Sequence, residues 1–373
     1  MRTLPLLFAA ALLAPLAPAQ KNNDVLLRTD GARMRGLEIS ELLLTGVRGK
    51  RNAGKDDFEL PASLVADVEW GNLPESFLAG RSALQRGDFA AASQFFGDVK
   101  TDRALIKTDA EFFLVKAAVA AAGTDRTAAA TAAERAKKWL GDHVNHWRTP
   151  EAMLLAGRAE RFAGLGGAAA ATLRELDERS LRDSFGAVWS ARAKFELAMT
   201  LLADGKGSEA RTAFTSTASA ADAALAKPSP ADAELRELKT LALVGEGETF
   251  LVENDFARAE SFFLNLTTGA DPQLVAVGHA GAGEAIFRAA QASKLPKDFR
   301  RAQLSLAKAS VFDQLAGEAS AKANFYLGRC LVELGVENEG DSFRQRANAY
   351  FQIVVSNYPT TRFAPLAKLE LGR

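Results

Sequence analysis

The sequence predicts a mainly α chain: a small all-β unit over residues 20–72, then an α-solenoid of about seven helix hairpins over residues 73–373. Three observations carry this. Between residues 24 and 70 apolar side chains return at every second position, the period of half-buried strands. From residue 74 onward they return at helical spacing. Along those helical residues a single set of offsets from a small residue to a large one recurs several times. A pair of short helices cannot bury its apolar face alone, so such copies must stack. At 373 residues the chain exceeds one comfortable globular core, a limit that a solenoid escapes because each repeat touches only its neighbours.

Residues 1–19 read as a secretory leader. Arg2 supplies the positive start, residues 4–16 are apolar, and Ala17-Pro18-Ala19 is a small-residue cleavage site before Gln20. The apolar run is short for a bilayer span and carries Pro5 and Pro15, which favours cleavage over a retained anchor. The mature protein is therefore expected in the periplasm or cell envelope, or secreted, with no integral membrane span. Cys330 is the only cysteine, so no lipid-anchoring thiol stands near the cleavage site and an internal disulfide is impossible. Its setting, LGRCLVELG, makes it a small buried hydrophobe; an intermolecular disulfide or a reactive thiol is the alternative.

In the β unit, Val25 and Leu27, Met34, Leu42 and Leu44, Phe58 and Leu60, then Ala66, Val68 and Trp70 mark the apolar faces of four or five strands. Asp30-Gly31 and Asn52-Ala53-Gly54 are the turn signals between them. The pattern resembles the SH3-like heads that precede helical repeats in some bacterial envelope proteins. Arg48, Lys50 and Arg51 are followed at once by Asp56, Asp57 and Glu59, so a solvated hairpin is expected; a cluster for phosphate or a glycan acid is the alternative.

The clearest helical copy is residues 243–272. Gly247 and Phe250 share a face of its first helix, Asn254, Asp255 and Phe256 make the turn, and Ala259, Phe263 and Leu266 form the stripe of the second. The opening copy repeats it with Gly80, Ala83, Gly87, Phe89, Ala92 and Phe96, at the same offsets of 3, 7, 9, 12 and 16 from the first Gly. Gly157, Glu160, Gly164, Ala169 and Leu173 form another copy, and Ala198, Leu201, Gly205, Ala210 and Phe214 a fourth. Two later copies are stretched. In one, Gly283 and Ile286 precede a loop through Pro296 and then Ala302 and Leu306; in the other, Gly328 and Leu331 precede a loop at 336–341 and then Ala347, Phe351 and Pro359. Residues 110–139 count as a copy by position, and 360–372 as a closing helix. Residues 227–230, Lys-Pro-Ser-Pro, are either a break in the array near 225–232 or an ordinary long loop. The small-to-large offsets resemble tetratricopeptide repeats, in which a tiny residue at the crossing lets two helix backbones approach and a ring fills the space beside it.

For chemistry the sequence offers little. With 46 basic against 46 acidic residues it has no general field for nucleic acid or for an anionic membrane surface. His143 and His146 in GDHVNHW have the spacing of half a metal site and no third ligand, so a solvent-facing or capping pair is expected; His279 has no second histidine near it in sequence. Gly164-Leu165-Gly166-Gly167 is a hairpin turn in repeat register, and neither a phosphate cradle nor a serine or cysteine nucleophile motif is present. A non-enzymatic protein without cofactor or metal is expected.

The tetratricopeptide resemblance implies a binding groove lined by the first helix of each pair, with the residue after the small position pointing into it. Carried over, that residue is Arg81, Arg158, Glu248, Glu284 and Arg329, with Arg161, Arg288 and Lys322 as neighbours and Phe195 and Phe325 as apolar contacts. Mixed signs suit an extended peptide or a helix of a protein partner; a charged, solvated face is the alternative. The last copy, ANAYFQIVVSNYPTTRFAPLAKLELG, is similar to repeats in envelope proteins that aid outer-membrane assembly or coordinate wall synthesis with division. The implied function is an envelope scaffold or adaptor. Its rival is a peptidoglycan- or glycan-binding structural protein acting through the β unit.

Overall fold

The computed structural model describes residues 23–123, 125–226, 231–269, 271–312, 317–335 and 341–372. The leader, residues 227–230 and most of the loop expected at 336–341 lie outside them.

Five strands, β1 (Asp24–Arg28), β2 (Arg33–Leu42), β3 (Gly46–Arg51), β4 (Asp56–Pro61) and β5 (Val65–Glu69), form an antiparallel sheet in the order β4-β3-β2-β1-β5. The β3–β4 turn falls on Asn52, Ala53 and Gly54, with φ of 53°, 57° and 84°. Its register sets Arg48 opposite Glu59 and Arg51 opposite Asp56, and Arg48 Nη2 lies 2.9 Å from the Glu59 carboxylate. The basic cluster thus faces acids across a solvated hairpin.

The buried face holds Leu26, Leu37, Ile39, Leu42, Val47, Phe58, Leu60, Val65, Val68 and Trp70. Met34 of β2 and Leu44 are only half-buried, and in β5 Val65 is buried and Ala66 exposed, against expectation. The expected phase of β1 is corrected too, since Leu26 is buried and Val25 and Leu27 are only half-buried. The cause is Asp24, which is also buried. Its carboxylate accepts hydrogen bonds from Arg103 Nη1 and Nη2 (3.0 and 2.8 Å), Ile39 N (3.1 Å) and Gly71 N (2.9 Å). The two-residue period was readable, but a distant arginine sets which side faces in.

The helices are α1 (Glu75–Gln85), α2 (Phe89–Gly97), α3 (Ala104–Ala122), α4 (Arg126–Asp142), α5 (Thr149–Phe162), α6 (Gly166–Arg182), α7 (Ala187–Ala203) and α8 (Gly207–Leu225). They continue as α9 (Asp232–Val252), α10 (Phe256–Leu266), α11 (Pro272–Ser293), α12 (Pro296–Phe312), α13 (Gly317–Gly335), α14 (Asp341–Asn357) and α15 (Phe363–Leu371). The recurring offsets explain their boundaries. Gly87, Gly164, Gly205 and Asn254, all seven places beyond the small residue, adopt φ of 77°, 79°, 74° and 58°. That left-handed step reverses the chain after a first helix and suits Gly or Asn. Asp88 and Asp255 then cap α2 and α10, each accepting at 3.1 Å from the backbone N–H three residues on.

The crossings follow the same arithmetic. A Cβ at Gly80 would stand 2.9 Å from the Phe96 ring, one at Gly157 2.7 Å from Leu173, and one at Gly247 2.5 Å from Phe263. In the stretched copies the filler is Leu306 against Gly283 and Phe351 against Gly328, at 2.5 and 2.6 Å. The loop expected after Ile286 is corrected: α11 runs on to Ser293, and only Lys294 and Leu295 precede α12. Residues 288–292 favour helix, and Pro296 starts α12, where its missing N–H costs nothing.

The chain divides into two compact units, Met1–Ala121 with Lys138–Thr149, and Ala122–Lys137 with Pro150–Arg373. In the first, Phe77, Phe96 and Phe113 pack with ring centroids 5.3–5.7 Å apart. Beside them Arg148 is buried, its guanidinium 2.7 Å from Asp109 and 2.8 Å from Asp67 and stacked over Phe112, Phe113 and Trp147. Trp70 Nε1 donates to the same Asp109 at 2.9 Å, so β5 and α3 are stitched together. In the second unit α6 to α15 each pack on the next helix in the chain, and α7, α9, α11, α13 and α15 also touch in succession. Phe263 closes the seam between hairpins: it meets Gly247 of its own pair and Gly281 of α11, where a Cβ would come within 2.4 Å of the ring.

Candidate functional site

The residue after each crossing glycine lies about 100° round the helix from the crossing. In the second unit these residues are Arg158, Glu248, Glu284 and Arg329, and none stands free. Arg158 and Arg161 of α5 both engage the buried Glu196 of α7, Arg161 Nη2 at 3.1 Å. Arg192 of α7 pairs with Glu234 of α9, and Arg329 of α13 with Glu370 of α15 at 3.2 Å. Phe195 packs beside this row, its ring 6.0 Å from that of Phe214. Successive first helices are thereby cross-braced by pairs of opposite charge.

The densest of these braces centres on Lys322 of α13. Its ammonium contacts Glu284 of α11 at 2.7 Å and also Glu248 of α9. Arg362, at the start of α15, reaches Glu248 at 3.0 Å and Glu318 at 2.9 Å. The other oxygen of Glu284 accepts from Tyr326 Oη at 2.7 Å and lies 2.5 Å from the Arg288 guanidinium. Burial by itself would raise the Glu248 carboxyl, but Lys322 and Arg362 outweigh it and bring it down to about 2. Burial would likewise lower Lys322, and the two glutamates reverse that, so the ammonium is held charged. Burial and the Glu284 carboxylate push the Tyr326 hydroxyl up, which keeps it a donor. Removing one member of such a buried set leaves a charge uncompensated, at a cost of about 3–5 kcal/mol.

Against this cluster opens a cleft of about 480 Å³, lined by Phe287, Arg288 and Gln291 of α11, Phe325, Tyr326 and Arg329 of α13, Leu366, Leu369 and Glu370 of α15, and Asn254 and Phe256 at the start of α10. Rings wall it, and two guanidiniums reach into it. Their acidic partners are turned away from water: the side chains of Glu284 and Glu370 are 3% and 8% exposed, those of Arg288 and Arg329 36% and 25%. The guanidiniums are thus more exposed than the carboxylates that pair with them, while Glu370 and the partly exposed Glu333 also stand beside Arg329.

The residues singled out in sequence thus separate into four groups. Arg288, Phe325 and Arg329 line the cleft, while Glu248, Glu284 and Lys322 form the buried brace behind it. Arg158, Arg161 and Phe195 belong to an earlier hairpin pair. Arg81 sits in the first unit, where it engages Asp67 and covers the Phe113 ring. Sequence reasoning missed Phe287, Gln291, Tyr326, Leu366, Leu369 and Glu370. The readable signal was α15 itself, whose nine residues carry apolar side chains on both sides, Phe363 and Ala367 buried, Leu366 and Leu369 exposed.

The histidines correct an expectation. His146 is buried against Trp139 rather than solvent-facing; burial first, then Arg148 and His143, lower it to about 3, and its Nδ1 accepts from Arg148 N at 3.2 Å. His143 lies 3.3 Å from Glu111. No group of three or more His, Cys, Asp or Glu suited to a metal is found among the described residues, and none of their helices is long and apolar enough to cross a membrane. Cys330 is fully buried and its thiol is pushed up, chiefly by that burial. Compared with known proteins, the chain matches no family model and no curated protein.

Proposed function

We propose that this chain is an exported, non-enzymatic scaffold of tetratricopeptide type that holds an extended segment of a partner protein in the cleft between α11, α13 and α15. The observation that carries the reading is the composition of that cleft. Apolar walls from Phe287, Phe325, Leu366 and Leu369 surround two partly exposed guanidiniums that are more accessible than their closest partners, Glu284 and Glu370. Such a site rewards apolar anchors and an acidic side chain on the same segment. The brace behind it supports the same role, because Glu284 fixes both Arg288 and Tyr326 before any ligand arrives and so reduces the ordering cost of binding. Recurrence of the small-to-large offsets, the reversals at the seventh position and the chain-order packing of α6 to α15 support the repeat family. The leader pattern of residues 1–19 supports export, and the similarity of the last copy supports a place in envelope assembly or maintenance.

The test is a selection of displayed peptides on the wild-type chain, repeated on Leu369→Glu, which alters an exposed cleft position without touching the core. Acidic peptides with apolar anchors should be enriched, and their affinity should fall at least about tenfold on the variant, the worth of roughly 1.4 kcal/mol. Peptides that bind both proteins equally, or no enrichment at all, would refute the assignment.

A further inference from the structure

We propose that the outward face of α12 is a docking surface for an anionic lipid bilayer. The inward face of this helix is fixed: Phe299, Ala302, Leu306 and Ala309 are buried, and Leu306 is locked against Gly283. At 3.6 residues per turn, Lys297, Arg300, Arg301, Leu304, Lys308 and Val311 all fall within about 100° of arc on the opposite side. Every one of them is exposed, Leu304 by 61% and Val311 by 72%. No acid lies in that arc. Arg301 is paired with Glu260 at 2.9 Å, and the neighbouring Lys294 lies 3.8 Å from Glu333. Lys297, Arg300 and Lys308 have no acidic partner among the described residues.

This face is not a general property of the second helices. On α8 the exposed positions are Ser208, Glu209, Thr212, Thr215, Ser219, Asp222 and Ala223, with neither a cation nor a large aliphatic side chain. In a chain with equal numbers of acidic and basic residues, α12 sets three cations with no acidic partner among the described residues beside two large aliphatic side chains. That combination fits a membrane surface: cations on flexible stems reach lipid phosphates while Leu304 and Val311, two turns apart, enter the boundary between headgroups and acyl chains. A soluble polyanion would use the cations and gain nothing from the aliphatic pair, which is why lipid is the occupant proposed.

The experiment is co-sedimentation of the full chain with phosphatidylcholine vesicles and with vesicles in which roughly a third of the lipid is phosphatidylglycerol, at low salt and at roughly 0.5 M salt. Binding should require the anionic lipid and vanish at high salt. Lys297→Gln/Arg300→Gln/Lys308→Gln should weaken it about a hundredfold, each cation counting for roughly fivefold. Leu304→Ser/Val311→Ser, which keeps every charge, should weaken it roughly tenfold. All five positions are exposed, so circular dichroism should be unchanged in both variants. The proposal is overturned if anionic vesicles bind no better than neutral ones. It is equally overturned if the serine variant binds vesicles and heparin as the wild type does, since the face would then be a polyanion surface.

Discussion

Replacing Phe263 by Ala should loosen two helix crossings at once. The ring is fully buried, and ideal Cβ positions at Gly247 and Gly281 lie 2.5 and 2.4 Å from its atoms, so there is no slack on either side. With the ring gone, two walls of the hole are glycine backbones with no side chain to swing into it, and the rest are the already packed Leu251, Ala259, Ala282 and Ala285. Collapse is therefore poor, and the loss should sit in the upper half of the range for a buried Phe→Ala, about 4–5 kcal/mol. The reverse perturbation, Gly281→Val, forces a branched side chain onto the ring and should cost about 1–3 kcal/mol. Combined, the two should partly cancel, because the valine occupies space the ring has vacated; a coupling of about 2 kcal/mol is in the range for touching residues. Urea unfolding followed by circular dichroism gives the three energies. Amide exchange should place the lost protection in α9 to α11, since repeat stability is a nearest-neighbour property. A single-variant loss under about 1 kcal/mol, or strict additivity in the double variant, would show that the ring is not wedged between those glycines.

Two further outcomes are expected. Because burial lowers His146 to about 3 from its ordinary value of 6.5, the unfolded chain takes up the proton first. Its contribution is thus complete above pH 6.5 and is lost as pH falls toward 3, by about 1.4 kcal/mol per unit. Unfolding free energies from urea titrations at pH 7 and pH 5 should differ by about 2 kcal/mol from this residue, and His146→Gln should remove that share of the difference. Lys322→Met should cost about 3–5 kcal/mol by removing the buried cation that Glu248 and Glu284 share and leaving them to the more exposed Arg362 and Arg288. Adding Glu248→Gln and Glu284→Gln should restore part of it; a Lys322→Met melting curve that overlays the wild type would show the brace to be idle.

What the sequence made legible was local. Small-to-large offsets foretold which ring meets which glycine, and the seventh position foretold the left-handed reversals, because both depend on residues within one hairpin. What it hid was set by partners far along the chain. The phase of β1 depends on Arg103, and the burial of His146 on Trp139 and Arg148. The groove charges looked like a row for a ligand because each was seen without its partner on the next first helix. Lys322 is 38 residues from Glu284, with the whole of α12 between them, and no period in the sequence announces that pairing. The cleft was half-visible: Arg288, Phe325 and Arg329 follow from repeat register, whereas Leu366 and Leu369 belong to a lone helix that obeys no repeat.

The double engagement of Phe263 also fixes where this chain can be cut and rejoined. Phe214 rests on Gly245 as Phe263 rests on Gly281, and each of those glycines is followed two places later by the crossing glycine of its own hairpin, Gly247 or Gly283. A splice joining Val244 directly to Gly281 would therefore hand Phe214 a new glycine in the same position and leave the downstream crossing intact. The exchangeable module is the span from glycine to glycine, offset by half a hairpin from the one the helix boundaries suggest, and a shortened array built on helix boundaries would strand an aromatic ring at the joint.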